Sequence, residues 1–234
     1  MLKPNCKFCN KKLGVKTIVD HMSECIPNYI NEKSGYLIEF LAESYITNKK
    51  YQMIAIFGNK CKFTHIDKFL RKKWCECCSH MSTLEVYEEV NEQQTQKSVK
   101  FNTLISKYEK VNQFLYNYDM GSTTTIYFRI LKKLEGKNNN TNIELLYRNE
   151  PYKIKCKNYK NCKGNANYIS EGYKFCHECK NNLEEPEYIL NLSNSPRTGI
   201  CGYENDNIEI NYDEKYSHKT GFWVATSSTK LDIS

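Results

Sequence analysis

The pattern Cys6-x2-Cys9-x11-His21-x3-Cys25 constrains the folding of this chain more tightly than any hydrophobic pattern in it. Zinc takes four nitrogen or sulfur ligands at the corners of a tetrahedron. A Cys-x2-Cys turn presents two thiolates to one ion, and a His and a Cys four apart share one face of a helix. The spacing therefore predicts a small metal-built finger over residues 1–29, with Leu13 and Ile18 as its apolar residues. Without an ion, so short a segment has too little core to hold itself together. Docked on DNA like a classical finger it would present Gly14, Thr17 and Asp20, none of them the Arg or Asn of a strong base contact. Lys7, Lys11, Lys12 and Lys16 could still meet phosphates, and a purely structural finger fits the residues equally well.

A second ligand pattern, Cys156-x5-Cys162-x13-Cys176-x2-Cys179, encloses the hairpin-like stretch "KGNANYISEGYKF". Two cysteine pairs around a hairpin describe a zinc ribbon or knuckle, placed here in a third segment, 143–234. His177 lies between two of these ligands and is expected to point away from the ion. Two structural zinc ions are thus the expected cofactors. Lys153, Lys155, Lys157, Lys160 and Lys163, with Tyr152 and Tyr159, form a basic and aromatic patch where the second site begins. That composition suits single-stranded nucleic acid, and it would equally offset the charge of four thiolates.

Twelve cysteines in a short secreted chain would imply disulfides, but here they are clustered and "MLKPNC" has no apolar run behind its charge. Reduced thiols in a cytoplasmic protein are expected. The longest apolar stretches, such as Ile54–Phe57, fall far short of the roughly 20 residues of a membrane span, so no membrane partner is expected. The net charge of +7 divides as +3 over residues 1–35, +4 over 36–150 and zero over 151–234. Such an excess permits contact with DNA or RNA without requiring it.

Between the two metal patterns, residues 34–137 read as an α+β core. "YLIEFLAESYI" and "YQMIAIF", separated by "TNKK", predict a hairpin. Thr64 and Asp67 resemble a capping box, and Ile66, Phe69, Leu70 and Trp74 then share a helical face. "TLEVYEEV" alternates as a strand and "NEQQTQKS" looks like a solvated loop. Phe114, Tyr116 and Tyr118, a turn at "DMGSTT", and Ile126, Phe128 and Ile130 predict a second hairpin. "GKNNNTN" at 136–142 separates the core from the third segment.

Four motifs, "FLRKKWCECCSHMS", "YNYDMGSTTTIYFRI", "LLYRNEPYKIKC" and "NSPRTGICGY", occur in an order that resembles the plasmid Ri open-reading-frame-three-like family, cysteine-bearing branch. This family often carries an insertion-element passenger or TnpR-like label, and the resemblance covers roughly residues 36–205. It implies an α+β fold with a mixed or mainly antiparallel sheet, flanked by the finger and the ribbon as additions of this branch, and a mobile-element context. Members of the family have a His-x-His after the helix and an Asp-Phe-Gly-Asp-x-Trp-x-His stretch in the hairpin. Here His80 and Asp119 match the first histidine and first aspartate, while Ser82 and "STTT" replace the rest. No serine nucleophile in a recombinase-like setting stands out.

The stretch "WCECCSHMS" packs Cys75, Cys77, Cys78 and His80 together. By the resemblance it is a helix-to-strand corner in which the cysteines are mainly buried small apolar groups. A third metal site from Cys77, Cys78 and His80 would need a distant ligand such as Cys61, and a reactive thiol would need Arg71, Lys72 or Lys73 turned toward it. Arg197 and Cys201 are expected in a loop that covers the ribbon. The function these observations favour is a zinc-binding, non-enzymatic protein that recognises nucleic acid or a protein partner. The alternatives are a metal- or thiol-dependent enzyme using a His80/Asp119 face and a purely structural interaction module.

Overall fold

The computed structural model describes residues 9, 11, 18–25, 33–75, 78–90, 93–137, 140–149, 151–183, 188–201 and 203. The fold is α+β. Seven strands form one sheet: β1 (Ser34–Ser44), β2 (Lys49–Gly58), β3 (Ser82–Val90), β4 (Gln93–Ser98), β5 (Gln113–Tyr118), β6 (Thr124–Glu135) and β7 (Ile143–Arg148). Their order is β4-β3-β5-β6-β1-β2-β7, and every neighbouring pair is antiparallel. Short loops join β1 to β2 and β5 to β6 as hairpins, and β2 is buried on both faces rather than at alternate residues. Ile143–Arg148, grouped by sequence with the third segment, is instead the strand that completes the β2 edge. "NEQQTQKS" is likewise a strand rather than a loop, since Gln93–Ser98 pairs with β3 and leaves the side chains of Thr95–Ser98 exposed.

The helix α1 (Ile18–Cys25) precedes the sheet, and α2 (Phe63–Leu70) packs on it. Phe63, Ile66, Phe69 and Leu70 of α2 are buried against Phe40, Phe57, Phe114 and Phe128 of the strands. Phe40 sits at the centre, its ring 5.4–5.9 Å from those of Phe128, Phe69 and Phe57. Such aromatic contacts add about 0.5–1.5 kcal/mol per pair to the burial of the rings.

The start of α2 differs from the expected Thr64/Asp67 capping box. Lys62 is the N-cap, and its N–H donates to His65 Nδ1 at 2.9 Å. Asp67 is used elsewhere, as the acceptor of Arg71, Ser82 and Tyr116. The helical stretch reaches Trp74, as expected, and ends one residue later. A wider, π-type turn, Arg71–Cys75, carries it to the buried Trp74 and Cys75. Burial of those two side chains continues the apolar stripe of α2.

The remaining elements are short: α3 (Tyr159–Cys162), β8 (Tyr168–Ser170), β9 (Tyr173–Phe175), α4 (His177–Asn181) and β10 (Leu190–Asn191). β8, β9 and β10 make a second, three-stranded antiparallel sheet. Among the described residues no helix is long and apolar enough to cross a membrane.

Candidate metal centres

Three groups of cysteine and histidine side chains converge among the described residues, each with its ligand atoms within 4.8 Å of one another. The most complete is Cys156, Cys162, Cys176 and Cys179. Cys162 ends the single turn of α3, where Lys163 takes a left-handed conformation (φ 55°) that reverses the chain. The following Gly164 N–H donates to Cys162 Sγ at 3.4 Å. Cys176 is the N-cap of α4, and its Sγ accepts the Cys179 N–H at 3.5 Å. The β8–β9 hairpin lies between these two turns and brings them together. Cys162 Sγ and Cys176 Sγ are 3.8 Å apart. Two thiolates bound tetrahedrally at about 2.3 Å to one zinc ion would be separated by about 3.8 Å.

The thiols of this group differ in how readily they ionise: burial and the neighbouring thiols push Cys179 up to about 12. Burial pushes the Cys156 thiol up, but the backbone N–H groups of Cys176 and Asn158 and the thiols of Cys162 and Cys179 pull it down to about 7. Gly164 is required by space: a Cβ there would lie 2.9 Å from Cys176 Cβ and 3.0 Å from its Sγ. His177 points away from the group, with Nδ1 3.1 Å from Tyr168 Oη. All four residues fit zinc, whose structural sites are closed sets of thiolate and imidazole ligands.

In the N-terminal group, Cys9, His21 and Cys25 converge. His21 and Cys25 sit one turn apart on α1, and Cys9 Sγ lies 3.4 Å from His21 Nε2. Burial, aided by the charge of Lys11, lowers the His21 pKa and favours the neutral ring that a metal ligand must have. Cys6, the fourth ligand of the sequence pattern, falls outside the described residues, as does Cys77.

The third group joins Cys78 and His80 to Cys201. His80 Nε2 is 2.8 Å from Cys78 Sγ and 3.2 Å from Cys201 Sγ, and the two sulfurs are 3.5 Å apart. Cys75 is buried as expected, but Cys78 is exposed, so the cysteines of this corner are not uniformly core. Cys61 is not the distant partner. It is fully buried, its thiol donates to the Thr141 carbonyl, and burial pushes its pKa up to about 12.

The loop that supplies Cys201 does more than cover the second sheet. Gly199 does pack on Ile169 of β8, with a left-handed backbone (φ +75°) and no room for a Cβ. Ser195, however, donates to the Trp74 carbonyl at 2.7 Å. Arg197 is wholly buried in the main domain, donating to Asp119 Oδ2 at 2.5 Å and to Ser122 O and Thr124 Oγ1 at 2.9 and 3.1 Å. Ser122 Oγ, Arg197 and the Gly121 and Ser122 N–H groups hold the Asp119 carboxyl well below the usual carboxylate range, against the opposing effect of burial. The other carboxylate oxygen lies 3.6 Å from His80 Nδ1. Tyr118 completes the surroundings: the guanidinium groups of Arg71 and Arg197 lie 4.8 and 4.9 Å from its ring centroid, and its Oη accepts the His80 N–H at 3.2 Å.

Lys153, Lys155, Lys157, Lys160 and Lys163 are all exposed beside the four-cysteine group. Lys157 Nζ lies 3.4 Å over the centroid of the exposed Tyr173 ring, Lys155 lies over Tyr159, and Lys180 over Tyr168.

No known protein-family profile matches the sequence. No curated protein matches it either. Among solved structures, the chain is similar to a crystal structure of a protein of unknown function from Methanosarcina mazei Go1, with 13% identity, coverage of 53% of this chain and 67% of that one, and a TM-score of 0.36.

Proposed function

We propose that this protein is a zinc-binding, non-enzymatic member of the plasmid Ri open-reading-frame-three-like family that recognises single-stranded nucleic acid through its four-cysteine module. The metal groups themselves support the coarser part, that the chain could hold metal ions. The observation that carries the finer part is the surface beside Cys156–Cys179. Five exposed lysines lie there, and Lys155, Lys157 and Lys180 sit over the rings of Tyr159, Tyr173 and Tyr168. Aromatic faces take stacked bases at about 1–3 kcal/mol each, and lysines track the phosphates between them. In this reading the zinc is structural, because a closed set of four thiolates leaves no position for a substrate.

The test is binding of a fluorescent single-stranded oligonucleotide to the zinc-loaded protein over a range of salt. Affinity should fall with salt, with a log–log slope of about −0.7 per phosphate neutralised. Changing Lys153, Lys155 and Lys157 together to Ala should flatten that slope, and Tyr173→Ala should weaken binding without changing it. Absence of binding even at low salt would remove nucleic acid from the proposal and leave a protein partner in its place.

A further inference from the structure

We infer that Cys78, His80 and Cys201 bind a third metal ion of the zinc class, with Asp119 and Arg197 as the residues that orient the histidine. The two cysteines are 123 residues apart in sequence, yet their sulfurs come to 3.5 Å at the corner between the π-type turn and β3. His80 Nε2 faces both. Two thiolates and an imidazole form a borderline-soft donor set that selects zinc or cobalt over magnesium or calcium.

The surroundings of His80 match what metal-bound histidines need. One ring nitrogen faces the sulfurs, while the other faces Asp119 at 3.6 Å, a gap that a small rotation of the ring closes to a hydrogen bond. A carboxylate behind the ligating ring fixes its tautomer and raises its basicity. Asp119 is itself fixed, accepting from Arg197, Ser122 and the Gly121 N–H. The His80 main chain is held from both sides, its N–H by Tyr118 Oη and its carbonyl by Arg71. Three residues of this corner, Ser79, Asp119 and Cys201, adopt left-handed backbone conformations (φ 55°, 63° and 49°). Non-glycine residues hold such conformations only where surrounding contacts over-determine them.

A metal here would clamp the loop that carries Ser195, Arg197 and Cys201 onto the end of the main sheet. It belongs to neither of the two patterns whose ligands are adjacent in sequence.

The experiment is metal analysis of the reduced full-length chain, with zinc counted and with cobalt substituted for absorption spectroscopy. Cys201→Ser and His80→Ala should each lose one metal equivalent per chain and the cobalt–thiolate absorption of one site, while Cys179→Ser loses a different equivalent. Asp119→Asn should keep the full count at saturating metal but bind that ion about 10–100-fold more weakly. Because Cys179→Ser reports on the four-cysteine group separately, loss of one assignment leaves the other standing. An unchanged count in Cys201→Ser would overturn the inference. So would peptide mapping that finds Cys78 and Cys201 joined as a disulfide in protein purified with its metal.

Discussion

Arg197 and Asp119 form a buried ion pair across 78 residues of sequence, Nη2 to Oδ2 at 2.5 Å, with the guanidinium fully out of solvent. The pair fastens the C-terminal loop to the turn between β5 and β6, directly behind His80. Removing one partner of a buried pair strands the other charge, at a cost of about 3–5 kcal/mol. Arg197→Ala should therefore destabilise the chain by that amount in urea denaturation. Arg197→Lys should recover only part of it, because an ammonium cannot reach Asp119, Ser122 O and Thr124 in the fixed fork of a guanidinium.

At Gly164, an added methyl would lie within 3.0 Å of Cys176 Sγ. Overpacking of this kind costs about 1–3 kcal/mol. Gly164→Ala should weaken metal retention by the four-cysteine group roughly tenfold or more in competition with a chelator, and leave the other two groups unaffected.

Chelation should separate the two parts of the molecule. The seven-stranded sheet buries a continuous core of large aromatic and aliphatic side chains around Phe40. The second sheet has little of its own beyond Ile169, Phe175 and Leu190. A strong chelator should therefore expose the amides of residues 153–183 to rapid hydrogen exchange, while those of β1, β2 and β6 stay protected.

The period of the side chains decided how much of this was legible in the sequence. The β1–β2 hairpin was legible from apolar runs such as "YQMIAIF", which is buried throughout, and the β5–β6 hairpin from the alternation of Phe114, Tyr116 and Tyr118. β4 is an edge strand whose Thr95–Ser98 are exposed, so no apolar face marked it and it resembled a loop. β7 lay beyond "GKNNNTN", where turn-forming residues mimic a boundary although the chain only crosses to the other edge of the sheet. Metal ligands behave in the same way. Cys156–Cys179 were legible because both pairs are local, whereas Cys201 joins Cys78 and His80 through tertiary folding alone. The Asp119–Arg197 pair was hidden for the same reason, although an Arg beside Pro196 and Thr198 in a loop otherwise poor in charge was a signal that could have drawn attention to it.

One pH effect follows from a pair at the start of β1. Tyr36 Oη donates to Glu109 Oε1 at 2.5 Å, and this bond lowers the Glu109 carboxyl below its ordinary range. A carboxyl whose folded pKa is depressed stabilises the fold above its unfolded pKa of about 4.5 and loses that contribution as pH falls through the folded value. Tyr36→Phe should remove about 1 kcal/mol at neutral pH. The difference between the two proteins should shrink on acidification below pH about 4.5, as followed by urea denaturation.

Native mass spectrometry of the reduced, intact chain tests the metal-centred account most directly. Three zinc ions per chain are expected, falling to two in Cys176→Ser and to two in Cys201→Ser. A chain that carries no zinc, or whose zinc content is the same in the wild type and in Cys176→Ser, would contradict it.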